Sequence, residues 1–114
     1  MPREPKTIAT ECLLSWTNGD LDTTRALVSD DVTFIGPLGT ATGADDYIEG
    51  LRQLKESVST IVTRKVLVDG SDVCIIYDLV TKRSGTIPTV GWYHVRNGQV
   101  DSVRAFFDAR ALTT

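Results

Sequence analysis

At 114 residues, 41% hydrophobic and 24% charged, the chain is sized for one globular domain with a real core. Its net charge of −3 and scattered basic residues argue against a nucleic-acid partner. No apolar run approaches a membrane span and MPREPKT has no h-region, so a cytoplasmic protein is expected, with no secretory signal and no membrane association.

Pro2 and Pro5 mark a short mobile start. Ile8, Ala9, Cys12, Leu13 and Trp16 then recur at helical spacing and predict a helix over residues 6–16, stopped by the NGD run at 18–20. A second short helix is expected over 22–28, with Asp22 or Thr23 as its N-cap. Residues 32–35 change to a β-rich run, ended by Gly36 and Pro37. TATGADD (40–46) is turn chemistry leading into a third helix. Its stripe of Tyr47, Leu51, Leu54 and Val58 should pack on a sheet, with Leu51 and Leu54 buried. Asp45 and Asp46 fall in its first turn, where negative charge suits the helix dipole.

From Ile61 onward every segment is strand-like. DGSD (69–72), KRSG (82–85) and RNGQ (96–99) separate four strands, and Asp-Gly and Asn-Gly tolerate the positive φ that tight hairpins need. Three helices before a long meander give an α+β plan, with the helices on one face of a curved antiparallel sheet. Such a sheet forms a cone whose open end suits a small molecule. The aromatic and aliphatic residues expected around the cone are Trp16, Phe34, Tyr47, Leu51, Trp92 or Tyr93, and Phe107, with Phe106 on the opposite face. Val73 to Val80 is nearly continuously apolar, so the outer face should need a cover, and a second copy of the chain is the simplest one.

The single histidine and the two separate cysteines, Cys12 and Cys74, form no metal-ligand pattern, so buried free thiols and no metal are expected. His94 is the one side chain whose ordinary pKa lies near neutrality. It is either a base inside the cone or a residue of the other face, because strand alternation separates Gly91, Tyr93 and Val95 from Trp92, His94 and Arg96. Asp78, in VCIIYDLV, is either a base of raised pKa or the partner of Arg83 or Arg104 outside. Asp108 and Arg110 should form a terminal ion pair. No serine sits in a nucleophile elbow.

The runs NGDLDTTRALVSDDVTFIGPLGTATGADDYIEGL and WYHVRNGQVDSVRAFFDAR resemble the nuclear transport factor 2-like (NTF2-like) superfamily, specifically its polyketide cyclase-like (SnoaL-like) and ketosteroid isomerase-like branch. The resemblance covers almost the whole chain and implies a single cone domain over residues 1–114. It also bears on individual positions. Where ketosteroid isomerases carry a general-base aspartate this chain has Gly36, their first oxyanion donor falls near Cys12, and their second falls on the strand of Gly91 and Trp92. The catalytic acid of limonene epoxide hydrolase would fall on Ala105. Polyketide cyclases use a polar group inside the cone, for which Asp78 and His94 are the candidates by general location. The expected role is binding of a small, mainly apolar molecule. Any chemistry would be acid–base work of the isomerase, cyclase or hydrolase kind, without a cofactor. A non-catalytic dimerisation or protein-interaction domain is the alternative.

Overall fold

A computed structural model describes residues 3–110; the expectation for Pro2 lies outside the described residues. The element order is α1 (Pro5–Thr17), α2 (Leu21–Leu27), β1 (Val28–Gly36), β2 (Gly39–Thr42), α3 (Ala44–Lys55), β3 (Val58–Asp69), β4 (Asp72–Thr81), β5 (Thr86–Arg96) and β6 (Gln99–Phe106). The six strands form one open, curved sheet in the order β2-β1-β6-β5-β4-β3. All neighbours are antiparallel except β1 and β6, which run parallel.

Pro5 opens α1 rather than preceding it, because the first helical position needs no N–H donor. The cap of α2 is Asp20, whose carboxylate accepts from the Thr23 backbone N–H at 3.1 Å, so the helix starts earlier than Asp22 or Thr23 would set it. α3 ends at Lys55. Val58 therefore belongs to β3, although it is fully buried in the same core. Leu51 is 6% exposed, whereas Leu54 is only partly buried.

β1 begins at Val28, before the expected run. A register shift between Val28 and Thr33 exposes Asp30 and Asp31 and hides the alternation. β2 lies where only turn residues were expected. It pairs Phe34 with Ala41 and Gly36 with Gly39 across a two-residue Pro37–Leu38 loop. The three C-terminal hairpins fall at the expected turns, with φ of +61° at Gly70, +76° at Gly85 and +78° at Gly98.

The helices lie on one face of the sheet. α1 runs over β3 to β6, while α3 covers β1, β2 and part of β3. Between them lies one core, with Ile8, Cys12, Leu13 and Trp16 from α1, Tyr47 and Leu51 from α3, and Val73, Ile75, Tyr77, Leu79, Tyr93 and Val103 from the sheet.

Candidate functional site

β4 alternates without a break, burying Val73, Ile75, Tyr77, Leu79 and Thr81 and leaving Asp72, Cys74, Ile76, Asp78 and Val80 half-buried. On β5 the same rule buries Gly91, Tyr93 and Val95 and exposes Trp92. Two faces follow, and they sort the candidate residues.

On the inner side a cleft of about 480 Å³ opens where α3 roofs the β1–β2 hairpin. Tyr47, Gly50, Leu51 and Leu54 of α3 line it, together with Phe34, residues 36–41 of the hairpin, and Phe107. The rings of Phe34 and Tyr47 pack at a tilt of 35°, with centroids 5.7 Å apart. Asp46 shares the wall and also anchors it, accepting the Thr42 backbone N–H at 3.1 Å. Phe107 lines the cleft while Phe106 is 53% exposed, so the last strand has the expected register. Gly50 was not singled out in the sequence. A side chain there would meet nothing within 4 Å, so a glycine in mid-helix, ordinarily costly, leaves this space open.

Trp16 and Tyr93 are 3% and 2% exposed and lie in the core rather than on the cleft wall. Tyr93 belongs instead to a group of buried phenols with Tyr47, Tyr77 and the thiol of Cys12. Burial pushes the Cys12 thiol up to about 12 and raises the Tyr77 phenol well above its usual value. Tyr47 and Tyr93 are raised chiefly by burial and further by the charges that Cys12 and the other phenols would carry if ionised. All four groups, from α1, α3, β4 and β5, belong to the one buried core.

The outer face holds the other candidates. Asp78 accepts from Nε and Nη2 of Arg64 at 2.9 and 2.7 Å, not from Arg83 or Arg104. Arg64 is the extra residue of a bulge between Thr63 and Lys65, an irregularity without a sequence signature. His94 Nδ1 lies 2.6 Å from Asp101 Oδ1, and Asp101 is likewise a bulge residue, opposite His94 and Val95. Neither Asp78 nor His94 reaches the cleft. Trp92 is also outside, correcting its placement around the cone; it is 40% exposed, donates from Nε1 to Asp72 Oδ1 at 2.9 Å, and stacks beneath Arg104.

The positions matched to ketosteroid isomerase have a physical occupant. A Cβ on Gly36 would stand 2.7 Å from the Phe34 ring, and one on Gly91 would stand 2.8 Å from the Tyr93 ring. In both places an aromatic side chain two residues away on the same strand lies over the glycine. An acid could enter only by displacing that ring. Asp108 and Arg110 pair at 2.6 Å beyond the last strand, and the guanidinium hydrogen bonds hold the Asp108 carboxyl down to about 2. Among the described residues, no group of three or more His, Cys, Asp or Glu is placed to hold a metal ion.

A cone of three helices on an open curved sheet, with a cleft under the third helix, defines an NTF2-like domain. Residues 10–109 match the SnoaL-like domain family, and the chain belongs to it. An NTF2-like protein of unknown function from Cytophaga hutchinsonii is 25% identical, with a TM-score of 0.88 over 100% of this chain and 98% of that one. A Catenulispora acidiphila protein of ketosteroid isomerase-like fold, solved with trimethylamine, is 18% identical, with a TM-score of 0.76 over 91% and 87%. An LEH-like epoxide hydrolase from M. tuberculosis is 20% identical, with a TM-score of 0.78 over 92% and 83%. No curated protein matches the sequence.

Proposed function

We propose that this domain binds a small, mainly apolar molecule in the cleft beneath α3. The observation that carries the proposal is the cleft itself, about 480 Å³ and walled by Phe34, Leu38, Tyr47, Leu51, Leu54 and Phe107. That volume lies within the roughly 300–1,000 Å³ of ordinary ligand pockets. Asp78 and His94 face the other side of the sheet, so they are not the groups that would act on a molecule held here. The epoxide hydrolase relative supports acid–base hydrolysis as a chemistry this fold can host. Here, however, the position matched to such an acid is Ala105. Binding is therefore the favoured role.

The test is titration of tetralin and naphthalene against the native protein and Gly50→Trp, followed by thermal shift and NMR. Gly50 faces open space, so the indole should fill the cleft without disturbing the core. Saturable binding that weakens at least tenfold in a normally folded Gly50→Trp protein is expected. Absence of binding, or equal binding by both proteins, would contradict the proposal.

A specific feature favours a second role for the outer face. Ile35, Arg104, Trp92, Cys74 and Leu67 are cross-strand neighbours in one row over five strands. Ile35, Trp92 and Leu67 in that row are 45%, 40% and 47% exposed, and Phe106 nearby is 53% exposed. An apolar row of this extent calls for a cover. The same face carries Lys65 and Arg104 along with Asp72 and Asp78, so a two-fold pairing of identical copies can set opposite charges against each other. Light scattering at micromolar concentration should give twice the chain mass; the mass of a single chain would contradict this role.

A further inference from the structure

We infer that the cleft beneath α3 takes a ligand whose apolar body carries a cationic amine, with the body seated among the rings and the ammonium held at the rim by Asp46 and Glu49. The inference rests on the proposed binding role and names the ligand class for it.

The cleft wall carries charge of one sign, on one side. Asp46 and Glu49 stand three residues apart on α3, so their carboxylates share a helix face. Gly50 follows on the same wall and has no side chain to keep a ligand off the helix. The facing wall, residues 36–41 of the β1–β2 hairpin, is uncharged. No lysine, arginine or histidine is among the described residues that line the cleft. Asp46 and Glu49 are both exposed, whereas Tyr47 and Leu51 are buried and Phe34, Leu54 and Phe107 are partly so. The carboxylates therefore mark a wet rim, and the apolar side chains mark the depth.

Arg52 and the α3 dipole offset part of the rim charge without cancelling it. Glu49 Oε2 accepts from Arg52 Nη1 at 2.9 Å, and hydrogen bonds from Arg52 and then Gln53 hold its carboxyl below the usual range, so Glu49 is ionised at neutral pH. The N-terminal end of α3 sets about half a positive charge near Asp46. Asp46 accepts the Thr42 backbone N–H at 3.1 Å through Oδ2 and makes no ion pair among the described residues. A carboxylate can accept about four hydrogen bonds, so Asp46 has acceptor capacity left for a donor. Two carboxylates against one guanidinium and a helix end leave the rim negative. An anionic ligand would meet repulsion there, and a neutral one would leave the carboxylates unused. An ammonium could donate to Asp46 and keep part of its hydration, which avoids the desolvation cost of a buried charge. The rings of Phe34, Tyr47 and Phe107 add faces of the kind that attract a cation.

The experiment compares 2-aminotetralin, tetralin and tetralin-2-carboxylate, one bicyclic body with a cationic, absent or anionic head. Dissociation constants are measured by NMR titration at neutral pH, in low and high salt, for the native protein, Asp46→Asn and Glu49→Gln. Asparagine keeps an oxygen for the Thr42 N–H. At low salt the amine should bind about five- to twentyfold more tightly than the carboxylate, and the ratio should shrink as salt rises. Each variant should lower that ratio about two- to fivefold, the range of one exposed ion pair. A merely structural disturbance would weaken both ligands and leave the ratio as it was. Equal affinities for amine and carboxylate beside saturable tetralin binding, or a tighter carboxylate, would overturn the inference while leaving the cleft a binding site. An amine preference that survives unchanged in both variants would place the cation elsewhere and also overturn it. Failure of all three compounds to bind would contradict the binding role itself, and the inference with it.

Discussion

Along β4 and β5, consecutive residues pass to opposite sides of one sheet, and the two sides have solved their polar groups differently. On the outer side Asp78 has Arg64, Asp72 has the Trp92 indole, and Asp101 has His94 and, at 3.6 Å, Arg96. On their inner side β4 and β5 bury only uncharged residues, Val73, Ile75, Tyr77, Leu79, Tyr93 and Val95 among them. A titratable residue in an apolar strand is usually the first functional suspect. Here the suspects Asp78 and His94 are satisfied structural pairs on the face away from the cleft.

The contrast should be largest in stability. Ile75 is fully buried and Ile76, its sequence neighbour, is half-buried on the other face. Ile75→Ala should cost roughly 2–5 kcal/mol, and Ile76→Ala less than about 1.5 kcal/mol, in chemical denaturation. Equal costs would mean that the outer face is as well packed as the inner one. The same method should separate Leu51→Ala, at roughly 2–5 kcal/mol, from a smaller effect at Leu54, which lines the cleft.

Next in size is the alkaline limit. Cys12 and the phenols bind their protons more tightly when folded than when unfolded. Their contribution is therefore fully present below the unfolded values, near 9 and 10, and is lost as pH rises toward the folded ones. Stability measured by urea titration should be level to about pH 8 and then fall, with Cys12 alone accounting for on the order of 4 kcal/mol between pH 9 and about 12. Cys12→Ala should remove that share of the slope. A flat profile to pH 11 would show that the inner groups are better solvated than their burial implies.

The smallest effects belong outside. Asp78 pairs with an arginine that is 61% exposed, and His94 is itself 38% exposed. Asp78→Asn and His94→Gln should each change stability by no more than about 1 kcal/mol and leave ligand affinity in the cleft unchanged. A tenfold loss of affinity in either variant would restore these residues as functional groups.

The sequence made the alternation legible because the strand period is two and the hairpin turns are marked by glycine. That was enough to predict that Tyr93 and His94 take opposite faces; of the residues expected around the cone, Phe34, Tyr47, Leu51 and Phe107 border the cleft beneath α3, while Trp16 and Tyr93 lie in the core and Trp92 lies outside. Bulges were not legible. They give Asp78 its arginine and His94 its aspartate, and they follow from how two strands register rather than from either strand alone. β2 escaped because Gly-Thr-Ala-Thr lacks the apolar content of a strand and pairs only as the sheet edge.

The most direct test of the claim that the inner cleft is the binding site is NMR shift mapping of the folded protein titrated with tetralin. The amides that move should be those of Phe34, the residues 36–41 hairpin, Tyr47, Gly50, Leu54 and Phe107. Shifts confined to Leu67, Cys74, Trp92 and Phe106 would place the ligand on the outer face and contradict it.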